Sequence, residues 1–158
     1  MKKVCQSSMQ DDLKRRLFVA AVESVLTYGF EALTLSVKDE KTLDGVYTRM
    51  LRVALNVSWE DYITNFNLYG KLTRLSDKKR QRRMSLAGHC VRHLELSSCE
   101  LILWEPTYGQ RSRGRPKTTY VDTLRRDTGL SSVSELQTLM EDREQWRAAI
   151  KCSQVGVG

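Results

Sequence analysis

The pattern Ser/Thr-x-x-Asp/Glu starts a helix: the hydroxyl accepts from a first-turn backbone N–H while the carboxylate reaches back to the cap. It occurs seven times in this chain of 158 residues, against roughly three expected from composition. Six of the seven stand before stretches whose apolar residues recur with helical spacing, at Ser8, Ser36, Ser58, Ser97, Thr119 and Ser132. Alternating strand patterns are nearly absent, so the sequence predicts an all-α chain. With 9 Gly, 2 Pro, 41% hydrophobic and 28% charged residues, it is neither low-complexity nor fibrous and has apolar mass enough for a core.

The first helix is expected over residues 13 to about 33. One apolar row holds Leu13, Leu17, Ala20, Ala21, Val25 and Tyr28, and a second holds Phe18, Val22 and Leu26. A second helix follows over 37–55 on Leu43, Val46, Tyr47, Met50 and Ala54, with Arg49 and Arg52 on its polar face. A third, over about 60–69, is expected to close on a left-handed Gly70. A fourth begins at Ser76 with a basic half and turns apolar through Met84, Ala87 and Val91 to Leu94. After the apolar segment 101–104, a loop over 105–118 carries both prolines and reads as the domain boundary. Helices resume over 120–128, stopped by Gly129, and over 133–150 with a break near Glu141 and Asp142. The organisation expected is a small helical bundle over 1–70, a basic helix and connecting segment over 71–104, the loop, and two to three short helices over 119–158.

The longest uncharged apolar run, residues 18–22, is far short of the roughly 20 residues that span a bilayer. Residues 1–8 lack the apolar centre of a secretory signal. An intracellular protein, nuclear or cytoplasmic and without a membrane partner, is the expectation. Cys5, Cys90, Cys99 and Cys152 lack paired spacing, which suits reduced thiols.

The net charge of +7 is unevenly spread. Residues 1–70 hold 9 basic and 9 acidic side chains, residues 71–126 hold 14 and 5, and residues 127–158 hold 3 and 5. A basic block inside a balanced chain is the footprint of phosphate-backbone binding, or else a solvated face that aids solubility. Two clusters compose it. Lys78, Lys79, Arg80, Arg82 and Arg83 fall on more than one helical face, so acids of the same helix cannot pair with all of them, and a helix end of this kind suits phosphates. Arg111, Arg113, Gly114, Arg115 and Lys117 form an Arg-Gly-Arg-Pro-Lys segment. Its glycine lets the backbone approach a groove floor, and its proline keeps the preceding arginine extended. It resembles an AT-hook, whose arginines lie along a narrow minor groove; the bland reading is an interdomain hinge.

His89 and His93, four residues apart with Cys90 and Cys99 nearby, raise the question of zinc. The spacing lacks paired cysteines, and histidines at a packing seam with no metal are expected. The acid pairs Asp11-Asp12, Glu60-Asp61 and Glu141-Asp142 sit at helix starts, where the macrodipole accounts for them. No phosphate loop, zincin motif or nucleophile elbow is present, so neither a catalytic residue nor a cofactor is expected.

In order along the chain, residues from about 7 to 150 resemble the C-terminal region of reverse transcriptases from non-LTR (LINE-type) retrotransposons. The carrying residues are Leu13-Lys14, Leu17-Phe18, Val22 to Leu26, Tyr28-Gly29-x-Glu31, Leu43-Asp44-Gly45-x-Tyr47 to Arg52, and Arg82-Arg83 with Ala87-Gly88-His89. Further on come Leu103 to Pro106, Gly109 to Lys117 with Asp122, and Asp142-Arg143 with Trp146-Arg147. The resemblance implies a thumb-like first part that grips a template–primer duplex through Arg49 and Arg52. It implies a later basic segment that engages RNA or target DNA, and an upstream polymerase domain as partner. The palm's Asp-Asp pair is absent, so the chain is expected to be a fragment, non-catalytic alone, of an RNA-directed DNA polymerase. A helical protein-interaction module with a merely solubilising basic face is the competing expectation.

Overall fold

A computed structural model describes residues 9–93, 98–105 and 118–152, with backbone only at Ser98 and Cys99. The described residues are all-α, and none of their helices is long and apolar enough to cross a membrane. The chain divides into two compact units, one comprising Met1–Phe30 with Leu35–Lys79, the other Glu31–Thr34 with Arg80–Gly158. The division therefore falls inside the basic helix rather than in the loop over 105–118, most of which lies outside the described residues. The two halves of that helix serve different cores: Leu75 belongs to the first, Met84, Ala87 and Val91 to the second.

In the first unit, α1 (Asp11–Phe18) runs into a π-helical segment (Val19–Glu23) and then α2 (Ser24–Leu26). A π turn bonds i to i+5 and widens the helix by one residue. The helix expected in one piece thus changes register at its middle, and the second apolar row wins: Phe18 is buried and Val22 and Leu26 pack against the core. Leu13, Leu17, Val25 and Tyr28 are exposed, the last at 89%.

Next, α3 (Val37–Leu55) begins with a capping box, Ser36 Oγ accepting from the Asp39 N–H at 3.3 Å and Asp39 Oδ2 accepting from the Ser36 N–H at 3.3 Å. It buries Tyr47, Leu51, Ala54 and Leu55 and ends on Asn56 in the left-handed region. The helix expected over 60–69 is two pieces, a 3-10 turn (Trp59–Asp61) and α4 (Asn65–Tyr69), parted at Tyr62 with φ 50°. Asp61 accepts the Ser58 N–H at 2.7 Å, and Thr64 caps α4 by accepting the Asn67 N–H at 3.4 Å. Gly70 has φ 57° but ψ −111°, so it is not the left-handed cap expected; it adopts a conformation open chiefly to glycine.

The next helix, α5 (Leu75–Arg92), carries the chain into the second unit, followed by α6 (Ser98–Ile102), α7 (Tyr120–Thr128), α8 (Val133–Glu141) and α9 (Arg143–Cys152). Thr119 and Asp122 close another capping box, and Gly129, at φ 76° and ψ 5°, ends α7 as expected. Ser132 precedes α8, but its hydroxyl pairs with that of Ser134 at 2.6 Å instead of capping. The break between α8 and α9 falls at Asp142, whose carboxylate accepts the N–H groups of Glu144 and Gln145 at 2.9 and 3.0 Å. Those bonds favour the ionised form and lower its pKa. Ser8 and Ser97 lie outside the described residues.

The second core centres on Trp146 of α9, which is 1% exposed and donates its indole N–H to the Met84 carbonyl at 2.8 Å. A Cβ at Gly88 would collide with that indole, so Gly88 is the gap in α5 that the ring fills. Met84, Ala87, Val91, Leu124, Leu136 and Met140 surround it.

Candidate nucleic-acid interface

The basic half of α5 does not form the bare phosphate-facing end that its charge suggested. Lys78 Nζ donates to both carboxylate oxygens of Glu23 at 2.6 Å, and Tyr47 Oη donates to the same Glu23 at 2.6 Å. Lys79, with no exposed side-chain surface, lies 3.4 Å from Glu40. Arg83, 1% exposed, pairs with the equally buried Asp127, and Arg80 Nε stands 3.5 Å from the other oxygen of that carboxylate. Acids from α3, α7 and the π segment do what acids of the same helix could not. Lys79 and Arg83 are therefore interior groups in this fold and present nothing to a phosphate, while Lys78 and Arg80 are partly exposed but held by carboxylates.

Burial pushes the Asp127 carboxyl up, and the guanidinium groups of Arg83, Arg80 and Arg126 pull it back only in part. Burial likewise raises Tyr47, whose hydroxyl is also held by Glu23, and raises Tyr120 to about 12.

Of the remaining candidates, Arg82 is exposed on α5 and Arg49 on α3. Arg52, on the same helix as Arg49, is half-buried and donates to the Ile63 carbonyl at 2.8 Å and to Asn65 Oδ1 at 3.0 Å. It fastens the chain before α4 to α3, which is a structural task. Arg111, Arg113, Gly114, Arg115 and Lys117 lie outside the described residues. His89 and His93 are exposed neighbours with ring centroids 4.4 Å apart, not seam residues. Among the described residues no three metal-ligating side chains gather, and no disulfide links Cys90 or Cys152.

Sequence reasoning missed the aromatic side chains around the start of α4. Trp59, Tyr62 and Phe66 are 77%, 85% and 86% exposed, in the first unit, which also leaves Val46 and Val53 of α3 uncovered. It also missed the inward role of Glu23, for which a signal existed: an acid one position after Val22 of the buried row. No family model, no curated protein and no solved structure matches the chain.

Proposed function

We propose that the chain binds nucleic acid, gripping an RNA or DNA strand or duplex through exposed cations without chemistry of its own. The observation that carries this reading is how charge is divided between inside and outside. Glu23, Glu40 and Asp127 are drawn inward together with cations, so pairing inside the fold disposes of little of the formal +7. The excess rests on exposed side chains such as Arg16, Lys38, Lys41, Arg49 and Lys71, and on the segment 111–117. A surface of that kind attracts a polyanion.

The finer reading is that of a thumb and downstream basic segment from a non-LTR reverse transcriptase, working beside an upstream polymerase domain. It is supported by the residues that carry the resemblance, among them Gly88 and Trp146, two residues far apart in sequence whose packing requires each other. The proposed binding residues are Arg49, Arg82, Arg111, Arg113, Arg115 and Lys117, with Gly114 for close approach. Lys78, Lys79, Arg80, Arg83 and Arg52 support the fold.

The test is fluorescence anisotropy with single strands and with matched A·T-rich, G·C-rich and RNA duplexes across a salt series. Replacing Arg49 and Arg82 by Ala is expected to weaken all ligands alike, with the salt slope falling by roughly one unit for each phosphate no longer neutralised. Replacing Arg113 and Arg115 is expected to weaken A·T-rich duplexes most, since narrow grooves concentrate negative potential. Absence of salt-dependent binding overturns the reading. It would favour a protein-interaction module, for which the uncovered Leu13, Leu17, Val25 and Tyr28 speak.

A further inference from the structure

The first unit contains an open cavity of about 390 Å³ between the α1–π junction and the turn after α4. That is near the lower end of the roughly 300–1,000 Å³ typical of small-molecule sites. Its floor is aliphatic, from Val19 and Ala20 of the π segment and Leu72. Arg15, Arg16 and Lys71 stand around it, opposed only by Asp12 among the lining residues.

Arg15 is held in place. Its Nε donates to the Leu68 carbonyl at 3.2 Å, Nη2 to the Asn67 carbonyl at 3.3 Å, and Nη1 to Asp12 Oδ1 at 3.2 Å. Gly70 lies beside it, where a Cβ would stand in ordinary contact at 3.6 Å from the guanidinium carbon; it is the φ of 57° that calls for glycine. A guanidinium has five N–H donors, so a fork fixed by three bonds still has donors to offer. Arg16 and Lys71 are exposed and add mobile positive charge. The widened turn sets Val19 and Ala20 into the same cavity, and π turns occur often at functional sites.

We propose that this cavity seats one nucleotide of a nucleic-acid strand, its phosphate on Arg15, Arg16 and Lys71 and its sugar or base face on Val19, Ala20 and Leu72. The aliphatic floor argues for a nucleotide over a bare anion, because inorganic phosphate has no apolar face to cover it. The assignment rests on the nucleic-acid reading and adds to it a site that none of the basic-cluster residues lines.

The experiment measures binding of a fluorescein-labelled single-stranded oligonucleotide to the full chain and to Arg16→Ala/Lys71→Ala. Both residues are exposed, so the fold should survive, as circular dichroism will verify. The double variant is expected to bind at least ten times more weakly, with a salt slope smaller by about 0.7 for the one phosphate of a single strand that the site holds. Arg143→Ala/Arg147→Ala on α9 removes the same charge elsewhere and is expected to cost less than threefold. Equal losses from the two double variants would overturn the cavity while leaving nucleic-acid binding intact. No binding by the unmodified chain would overturn both. Adenosine monophosphate is expected to compete for the strand, and inorganic phosphate at matched ionic strength is not; equal competition would overturn the nucleotide assignment.

Discussion

The two units solve the problem of a core in different ways. The second packs an aliphatic shell around Trp146 and carries a deeply buried ion pair at Arg83 and Asp127. The first threads its core with polar groups. Glu23 joins Tyr47 and Lys78, Glu40 meets Lys79, and Asp44 accepts from the Ser76 N–H and hydroxyl at 2.9 and 2.6 Å. Among the described residues it also leaves more large apolar side chains uncovered: Leu13, Leu17, Val25, Tyr28, Trp59, Tyr62 and Phe66 are exposed, against Leu33, Leu101 and Trp104 in the second. A hydrophobic core stabilises without direction, whereas a hydrogen-bonded one fixes which elements meet. Under the proposed function the first unit offers the surface and the second is the more stable base.

The largest expected effect strikes that base. Trp146→Ala removes the central side chain of the second core and is expected to cost about 3–5 kcal/mol, as for other buried large-to-small changes. Urea unfolding followed by circular dichroism measures it. Val19→Ala in the first unit, beside the open cavity, is expected to cost much less; equal costs would erase the contrast between the cores.

Interior charges provide the next test. Asp127→Ala strands Arg83 where it is 1% exposed, so a loss of about 3–5 kcal/mol is expected. Glu23→Gln should cost less, because Lys78 is 21% exposed and can turn to water. The sharpening experiment replaces Arg83 by Met and Asp127 by Leu together. Recovery of stability relative to Asp127→Ala would mean that the pair specifies geometry rather than supplying net stability.

The smallest effect appears in alkali. Burial raises Tyr120 to about 12 against an ordinary 10.0, and Tyr47 and Tyr69 are raised as well. A raised folded pKa contributes stability that is fully present below the unfolded value and lost as pH rises through the folded one. Stability is therefore expected to decline between pH 10 and 12. Ultraviolet titration of Tyr120→Phe should lose the late tyrosinate step near pH 12, and an unchanged titration curve would place that step elsewhere.

The helices were legible because their signals are local. Thr119 with Asp122, Ser36 with Asp39, Gly129 and the break at Asp142 each act within a few residues, and the structure keeps all of them. The division at Lys79 was not legible, because it depends on which core each turn of α5 enters. The basic cluster misled for the same reason. Glu23, Glu40 and Asp127 lie 55, 39 and 44 residues from their partners Lys78, Lys79 and Arg83, beyond the reach of spacing arguments along one helix. The cavity was hidden by the π turn, which periodicity at 3.6 residues cannot represent.

That turn also makes the length of the chain here consequential. Loops absorb the gain or loss of a residue with little harm, but helices seldom do, because each residue turns everything after it by about 100°. The π turn is the exception, because it houses one residue more than an α turn over nearly the same rotation. A version of this chain one residue shorter between Val19 and Val22 would close into a plain α-helix and leave Glu23 facing Tyr47 and Lys78. The segment is thus a place where a single deletion would be absorbed, whereas the same deletion within Asp11–Phe18 would turn one part of the helix against the other.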